Sequence, residues 1–105
     1  MRRIEGFFMF RHIVLYRLKN RTEEDKTALK NKFLTLRGNV PRVRALEVGT
    51  DVLFSKRSYD VALIISFDKK EDLAEYKAHP FHVGVSDYVH SVIETSVSCD
   101  FEVDA

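Results

Sequence analysis

Apolar and polar residues alternate along three stretches of the chain, which is the pattern of β-strands that bury one or both faces. Residues 8–18 and residues 59–67 are apolar on both faces at their centres, and residues 95–103 alternate throughout. A fourth extended stretch, residues 43–53, is interrupted by Gly49. We therefore predict four strands.

Apolar residues at helical spacing follow Thr22 and three successive carboxylates. A hydroxyl at this position can accept a backbone hydrogen bond at the start of a helix, and early carboxylates suit the positive end of the helix dipole. The spacing predicts that the apolar face of this helix consists of Leu29, Phe33, Leu36 and Val40. Gly38 is expected to end the helix, and Pro41 forbids its continuation.

A second helical segment follows Asp68-Lys69-Lys70-Glu71, which has the form of a capping box with Asp68 as the cap. His79 and Pro80 interrupt this segment, because a residue before proline avoids the helical conformation. Pro80 suits the first turn of a further helix, in which His82 lies on the same face as Val85.

The predicted order of elements is βαββαβ. This order is typical of a ferredoxin-like α+β fold, with one antiparallel sheet and the helices on one of its faces. The other face would be polar if it met water, yet the central strands are apolar on both sides. A second copy of the chain is the simplest cover, so we predict a homodimer in which two sheets meet as an α/β barrel.

Composition narrows the class of protein. The chain has 105 residues, which suits one domain over residues 1–105, with 45% hydrophobic residues and a net charge of +1. The densest basic stretch, residues 37–44, is short, which argues against nucleic-acid binding. No apolar run approaches the ~20 residues of a membrane span. The single cysteine, Cys99, is typical of a reducing compartment, so we expect a cytoplasmic protein.

The first residues have a separate interpretation. Residues 1–8 are expected to be an N-terminal extension, because the domain pattern begins at about Met9. They do not have the form of a signal peptide, since Arg11 and His12 interrupt the apolar run.

Three polar side chains lie on faces that are otherwise apolar: His12 on the first strand, Tyr76 on the short helix and His82 on the last helix. Packing of these elements would bring the three together between helices and sheet. Histidine titrates near neutral pH, and a tyrosine hydroxyl can donate to a developing oxyanion, so the group could perform acid–base catalysis. The same residues could equally be hydrogen-bonded polar groups of the core.

The other candidate residues are weaker. His79 and His82 are three residues apart, but Pro80 lies between them and no third ligand has a convincing spacing, which argues against a metal site. His79 is expected to cap the helix break, and His90 to be exposed. Cys99 is on the apolar face of the last strand and is expected to be a buried, unreactive thiol. No cofactor motif is present.

The sequence as a whole resembles the stress-responsive A/B barrel (Dabb) domain family over residues 10–103. The resemblance rests on residues 11–19, 49–51 and 57–63 and, above all, on Leu73-Ala74-Glu75-Tyr76-Lys77-Ala78-His79-Pro80-Phe81-His82-Val83. It implies a dimeric α/β barrel.

The family includes plant stress proteins and a plant polyketide cyclase that performs an aldol condensation without a cofactor. The resemblance implies that His12, Tyr76 and His82 occupy the positions of that cyclase's functional residues. A further histidine of the cyclase matches Val61 in this chain, which argues against the same reaction. The resemblance also implies that a metal ion could be held near the dimer interface by backbone oxygens, as in some members.

Three hypotheses for the function follow. The first is a homodimeric binding protein for a small hydrophobic molecule, with or without catalysis. The second is a cofactor-independent lyase or cyclase with His82 as base and Tyr76 as proton donor. The third is a cofactor-free monooxygenase, because antibiotic-biosynthesis monooxygenases are similar in fold, although the chain lacks the tryptophan that such sites often use. The sequence leaves open whether the chain is an enzyme.

Overall fold

The computed structural model describes residues 8–104, in which four strands and three helices follow one another. In chain order they are β1 (Phe8–Leu18), α1 (Glu23–Leu34), β2 (Ala45–Thr50), β3 (Val61–Phe67), α2 (Asp72–Ala78), α3 (Pro80–Val92) and β4 (Ile93–Asp104). The strands form one antiparallel sheet in the order β2-β3-β1-β4. This arrangement confirms the ferredoxin-like α+β fold. The predicted extension, residues 1–8, lies outside the described residues except for Phe8, with which β1 begins.

The core lies between the helices and one face of the sheet. β1 is central and pairs with β3 on one side and with β4 on the other, so that His12 stands opposite Ile65 and Asp100. Every second residue of β1 and β3 therefore points to the helices. These strand residues pack with apolar residues of α1 and α3, and the buried set includes Val14, Tyr16, Val61, Leu63, Ile65, Phe67, Leu29, Phe33, Val85 and Val89.

The first helix begins as predicted but ends earlier. The Thr22 hydroxyl accepts a hydrogen bond from the Asp25 amide at 3.1 Å. The prediction that the helix continues to Gly38 is wrong, because α1 ends at Leu34 and the chain continues in tight turns with hydrogen bonds between residues three apart. The Thr35 hydroxyl donates to a carbonyl oxygen of the last turn, which competes with continuation of the helix. Leu36 and Val40 are buried, as their apolar spacing predicts, but they lie in these turns and not in the helix.

The second helical segment is divided at the predicted break. The His79 ring accepts a hydrogen bond from the Phe81 amide at 3.1 Å, and Pro80 begins α3, so the predicted capping role of His79 is confirmed. The prediction that Asp68 caps α2 is wrong, because α2 begins only at Asp72, after a turn. The Asp68 carboxylate instead pairs with the Arg44 guanidinium at 2.7 Å.

The third strand begins at Val61, two residues later than predicted. Asp60, which directly precedes this strand, is fully buried. Its carboxylate accepts hydrogen bonds from the Leu18 amide at 2.8 Å and from the Arg21 side chain at 2.9 Å. A buried carboxylate needs such partners, and these tie the end of β1 to the start of β3.

The second face of the sheet is not covered by any described helix. We call it the open face, and it contains Met9, Ile13, Leu15, Ala45, Ala62, Ile64, Val97, Cys99, Phe101 and Val103. Cys99 is exposed, so the prediction of a buried thiol is wrong. The apolar residues of β4 face away from the chain's own helices, while Ser98 and Asp100 share the helix side with His12.

Candidate functional site

A pocket of about 140 Å³ lies between the helices and the sheet, next to the start of β4. It is bounded by β1 and β4 below and by α1, α2 and α3 above. Its lining includes all three predicted residues, and the full set is His12, Val14, Tyr16, Phe33, Tyr76, His82, Val85, Ser86, Val89, His90, Ile93 and Ser96. The structure therefore brings His12, Tyr76 and His82 together, and a catalytic role for them stays a prediction.

Tyr76 is the central residue of the group. It is only 2% exposed, and its ring centroid lies 5.4 Å from that of Phe67, which anchors it to the sheet. The His82 ring is 4.3 Å from the Tyr76 ring, and the His12 ring is 6.3 Å from it. Tyr76 is thus in contact with His82 and close to His12, and its position depends on the packing of α2 on the sheet.

His82 has a defined tautomer. Its Nδ1 lies 3.1 Å from the Lys77 carbonyl oxygen, which can only accept, so Nδ1 donates and the neutral ring has its lone pair on Nε2. Burial lowers the pKa of His82 below its ordinary value, and the nearby charges of His12 and Lys77 act in the same direction. The hydrogen bond to Lys77 opposes this shift in part. A neutral imidazole with a free Nε2 is the form that a general base requires.

His12 is fixed by a residue that sequence reasoning missed. Its Nδ1 donates a hydrogen bond to the Asp100 Oδ1 across the β1–β4 register. The carboxylate accepts the Nδ1 proton, which leaves Nε2 as the free ring nitrogen of His12. The alternation of polar and apolar residues in the last strand puts Asp100 on the opposite side from Cys99. It does not give the register that sets Asp100 opposite His12.

Two tyrosine hydroxyls add donors to the pocket. Burial raises the pKa of both Tyr16 and Tyr76, so each hydroxyl stays protonated across the physiological range. Neither hydroxyl forms a hydrogen bond with another residue of the described chain. Both are therefore available to donate to a ligand oxygen or nitrogen.

The outer end of the pocket is polar. Ser86 and His90 lie one turn apart on α3, with 3.4 Å between the Ser86 oxygen and the His90 Nδ1. His90 is exposed, as predicted, yet it also lines the pocket, which the helical spacing did not reveal. Within residues 8–104, no three His, Cys, Asp or Glu side chains are grouped as metal ligands would be.

The position of the missing cyclase histidine is also defined. Val61 is buried in the core and does not line the pocket. The pocket therefore has three histidines, two tyrosines and two serines beside its apolar side chains, without a polar group from the start of β3. Such an arrangement can orient a small apolar molecule through one or two hydrogen bonds and can move a proton.

The fold is that of a ferredoxin-like domain, with a pocket between its helices and its sheet. The profile of the stress-responsive A/B barrel domain matches residues 10–103, and the chain belongs to this family. No helix of the described chain has the length and apolar character needed to cross a membrane.

Solved structures with the same fold agree with this assignment. A dimeric protein of unknown function from Bacteroides fragilis is 28% identical, with a TM-score of 0.77 over 90% of this chain and 96% of that one. A Dabb family protein from Mesorhizobium loti is 22% identical, with a TM-score of 0.67 over 90% and 95% of the two chains. A hydroxynitrile lyase from Passiflora edulis is 17% identical, with a TM-score of 0.78 over 91% and 94%. A search of curated proteins finds no significant match.

Proposed function

We propose that the protein is a homodimer that binds one small, largely apolar molecule in the pocket of each subunit. The observation that supports this most directly is the convergence of His12, Tyr76 and His82 from three separate elements on one pocket. Functional pockets combine apolar walls with placed polar groups, and this pocket combines five apolar side chains with seven that carry polar groups.

The dimer is supported by the open face. Val97 is 47% exposed and Phe101 38% exposed, and both belong to a continuous apolar surface on one side of the sheet. Contiguous apolar surface of this kind marks an interaction site. The similar protein from Bacteroides fragilis is described as dimeric. A second copy on the open face would remove this surface from water.

The size of the pocket limits the ligand. A dry cavity of about 150 Å³ accommodates benzene, and this pocket measures about 140 Å³. A single substituted ring or a short branched chain would fit, whereas an extended polyketide would not. His12, His82 and the tyrosines supply hydrogen bonds to one polar substituent, so we expect an aromatic alcohol, aldehyde or similar compound.

Binding can be tested with 4-fluorophenol, which combines one ring with one hydroxyl. Saturable shift and broadening of its fluorine NMR signal, lost in the His82→Ala variant and weakened in the Tyr76→Phe variant, would support the proposal. Val83→Ala, at an exposed position of α3 that does not line the pocket, is the matched control and should retain binding. A fluorine chemical shift that changes linearly with concentration and is the same in all three variants would overturn the proposal.

A second candidate function is cofactor-independent lyase chemistry. It is favoured by the lone pair on Nε2 of His82 and by its contact with Tyr76. In this reaction His82 would take the hydroxyl proton of an α-hydroxynitrile, the carbon–carbon bond would break to form a carbonyl group, and cyanide would leave with the bonding electrons and be protonated. The similar fold of a hydroxynitrile lyase from Passiflora edulis makes this substrate class the first to try.

The lyase candidate has a direct assay. Mandelonitrile cleavage is followed by the absorbance of benzaldehyde, and His82→Ala is expected to abolish turnover while Val83→Ala, outside the pocket, retains it. Turnover at the uncatalysed rate in the unmodified protein would remove mandelonitrile from consideration. Turnover unchanged in His82→Ala would remove His82 from the mechanism.

A further inference from the structure

The open face has two unlike halves. On β2 and β3 the outward residues are small in alternate rows: Ala45 stands beside Ser66, and Gly49 stands beside Ala62. These small pairs lie in two hollows of about 410 and 350 Å³. On β1 and β4 the same rows contain large residues, which are Arg11, Phe101, Leu15 and Val97. In these two rows the β2–β3 side of the face is therefore recessed and the β1–β4 side projects.

This difference selects one way of pairing two copies. A two-fold axis that runs across the strands would place recessed half on recessed half and projecting half on projecting half. An axis parallel to the strands instead places β4 of one subunit over β2 of its partner, so that Phe101 and Val97 meet the hollows. Close packing at an interface requires the second arrangement.

The sheet edges agree with this axis. β2 and β4 are the two edge strands of the described sheet, and each has a single neighbouring strand. Both β2 and β1 are antiparallel to β3, and β4 is antiparallel to β1, so β2 and β4 run in opposite directions. Rotation about an axis parallel to the strands preserves their direction. Each β4 would therefore meet the partner's β2 as an antiparallel neighbour, which covers both edges.

The β2–β3 loop (residues 51–60) has an unusual tip. Val52 is 89% exposed and Leu53 80% exposed, and Phe54, also exposed, has a positive φ of 53°. Three successive exposed apolar residues are unusual in a surface loop, because they leave apolar surface in contact with water. We call Val52, Leu53 and Phe54 the loop tip.

The loop tip is held in place from both sides. The buried Lys26 amine donates to the Asp51 carbonyl oxygen at 2.9 Å, and the Asp51 carboxylate accepts from the Phe54 amide at 2.6 Å. The Arg21 guanidinium stacks 5.0 Å from the Phe54 ring. Arg17 donates to the Ser58 carbonyl oxygen at 2.8 Å. These contacts fix the loop while Val52 and Leu53 project, so their exposure is a built feature of the fold.

One row of paired residues across the sheet connects the end of β2, where the loop begins, with the pocket. Thr50 pairs with Val61, Val61 with Tyr16, and Tyr16 with Ser96, and Ser96 lines the pocket. With the axis parallel to the strands, Thr50 of one subunit lies in the row of Ser96 of the other. The loop that follows Thr50 then extends towards the pocket mouth of the other subunit, where Ile93 and His90 lie.

We infer that the loop tip of each subunit closes the pocket mouth of its partner, so that each binding site is completed by the second copy. This inference rests on the proposed homodimer and specifies how its subunits contribute to the site. Val52 and Leu53 supply an apolar wall at the polar end of the pocket. A ligand would then be enclosed only in the dimer.

Site-specific cross-linking tests the arrangement. Two variants, Leu53→Cys and His90→Cys, are each made with Cys99→Ser to remove the native thiol. They are co-expressed with tags of different length and treated with a short bis-maleimide. The inference predicts a cross-linked heterodimer between the two variants. All three positions are exposed in the single chain, so the substitutions leave its core intact. Because Cys99 lies on the open face, the Cys99→Ser protein alone must first be shown to sediment as a dimer.

The alternative arrangement gives a different result. An axis across the strands would place the two loops at opposite ends of the dimer, so Leu53→Cys could not reach His90→Cys of the partner subunit. Cross-linking of Leu53→Cys with itself would also overturn the inference. Absence of any cross-link in a preparation that sediments as a dimer would overturn it too. Sedimentation as a monomer would instead overturn the proposed homodimer, which separates the two failures.

Ligand binding gives an independent readout. Leu53→Asp is expected to weaken 4-fluorophenol binding by roughly fivefold while the protein remains dimeric, because an apolar contact at the pocket mouth is lost. Val83→Asp, which places the same charge on an exposed apolar position of α3, is the matched control and should leave binding unchanged. Equal affinity in the two variants would argue against a role of the loop tip in the site.

Discussion

His12 on β1 and Asp100 on β4 stand directly opposite each other, and the His12 Nδ1 donates its proton to the Asp100 carboxylate. The two residues are far apart in the sequence, and only the register of the last strand brings them together. Because His12 is buried and lines the pocket, this pair determines which ring nitrogen of His12 is free to contact a ligand in the pocket. Asp100 is therefore a positioning residue of the candidate site.

Asp100→Ala is expected to destabilise the protein by about 1 kcal/mol, because the Nδ1 proton of the buried His12 ring loses its acceptor. Asp100→Asn retains an acceptor oxygen, so its free energy of unfolding is expected to lie closer to that of the unmodified protein. The free energy of unfolding in urea, at one protein concentration, measures both. Equal destabilisation by the two substitutions would show that the hydrogen bond to His12 is not the cause.

The stability of the protein is expected to fall as the pH falls below about 6.5, the ordinary pKa of a histidine. Burial lowers the pKa of His82 in the folded state, so in this range the unfolded chain binds more protons than the folded one. Stability then rises with pH, because the slope follows the excess of protons on the unfolded state. His82→Gln should make the free energy of unfolding less dependent on pH between 7.5 and 5.

His90→Gln is the matched control for this pH experiment, since His90 is an exposed histidine two turns further along α3. The control should keep the pH dependence of the unmodified protein. Identical pH profiles for the His82 variant and the unmodified protein would exclude His82 as the source.

Tyr76→Phe is expected to separate binding from folding. The hydroxyl forms no hydrogen bond with the described residues, so its removal should change the free energy of unfolding by less than about 0.5 kcal/mol. The loss of one donor should weaken 4-fluorophenol binding by about 1 kcal/mol. Tyr76→Ala removes the ring that contacts Phe67 and His82, and should cost about 3–5 kcal/mol of stability. Urea unfolding and fluorine NMR measure the two effects. A large loss of stability in Tyr76→Phe would contradict a ligand-facing hydroxyl.

Val97→Asp is expected to convert the proposed dimer to a monomer, because it places a charge on the open face. Val83→Asp is a close control: both valines are 47% exposed, but Val83 lies on α3, away from the open face. Sedimentation velocity at matched concentrations distinguishes the two outcomes. A Val97→Asp protein that sediments like the control would place the interface elsewhere.

Much of the fold could be predicted from the sequence because its signals are local. Alternation defined β1 to the residue, Thr22 marked the start of α1, and His79 and Pro80 marked the break between α2 and α3. The Asp68 capping signal was misleading, because an ion pair with Arg44 uses the carboxylate that a cap would need. Local signals cannot show such a competition between distant residues.

The candidate site was only partly predictable for the same reason. His12, Tyr76 and His82 are polar residues on apolar faces, and that contrast is visible in the sequence. Asp100 lies on the polar side of β4, where an acidic residue raises no expectation. The error at Cys99 has the same origin: alternation identifies the apolar side of β4 but does not show that this side lies on the open face and not against the chain's own helices.

The orientation of β4 has a consequence for how the protein is made and maintained. A strand that turns its apolar side away from its own helices gains little from folding alone, and most of its burial becomes available only on association. The melting temperature should therefore rise with protein concentration, as it does when folding and assembly are linked equilibria. Newly made chains would complete their last strand only once they are abundant enough to meet.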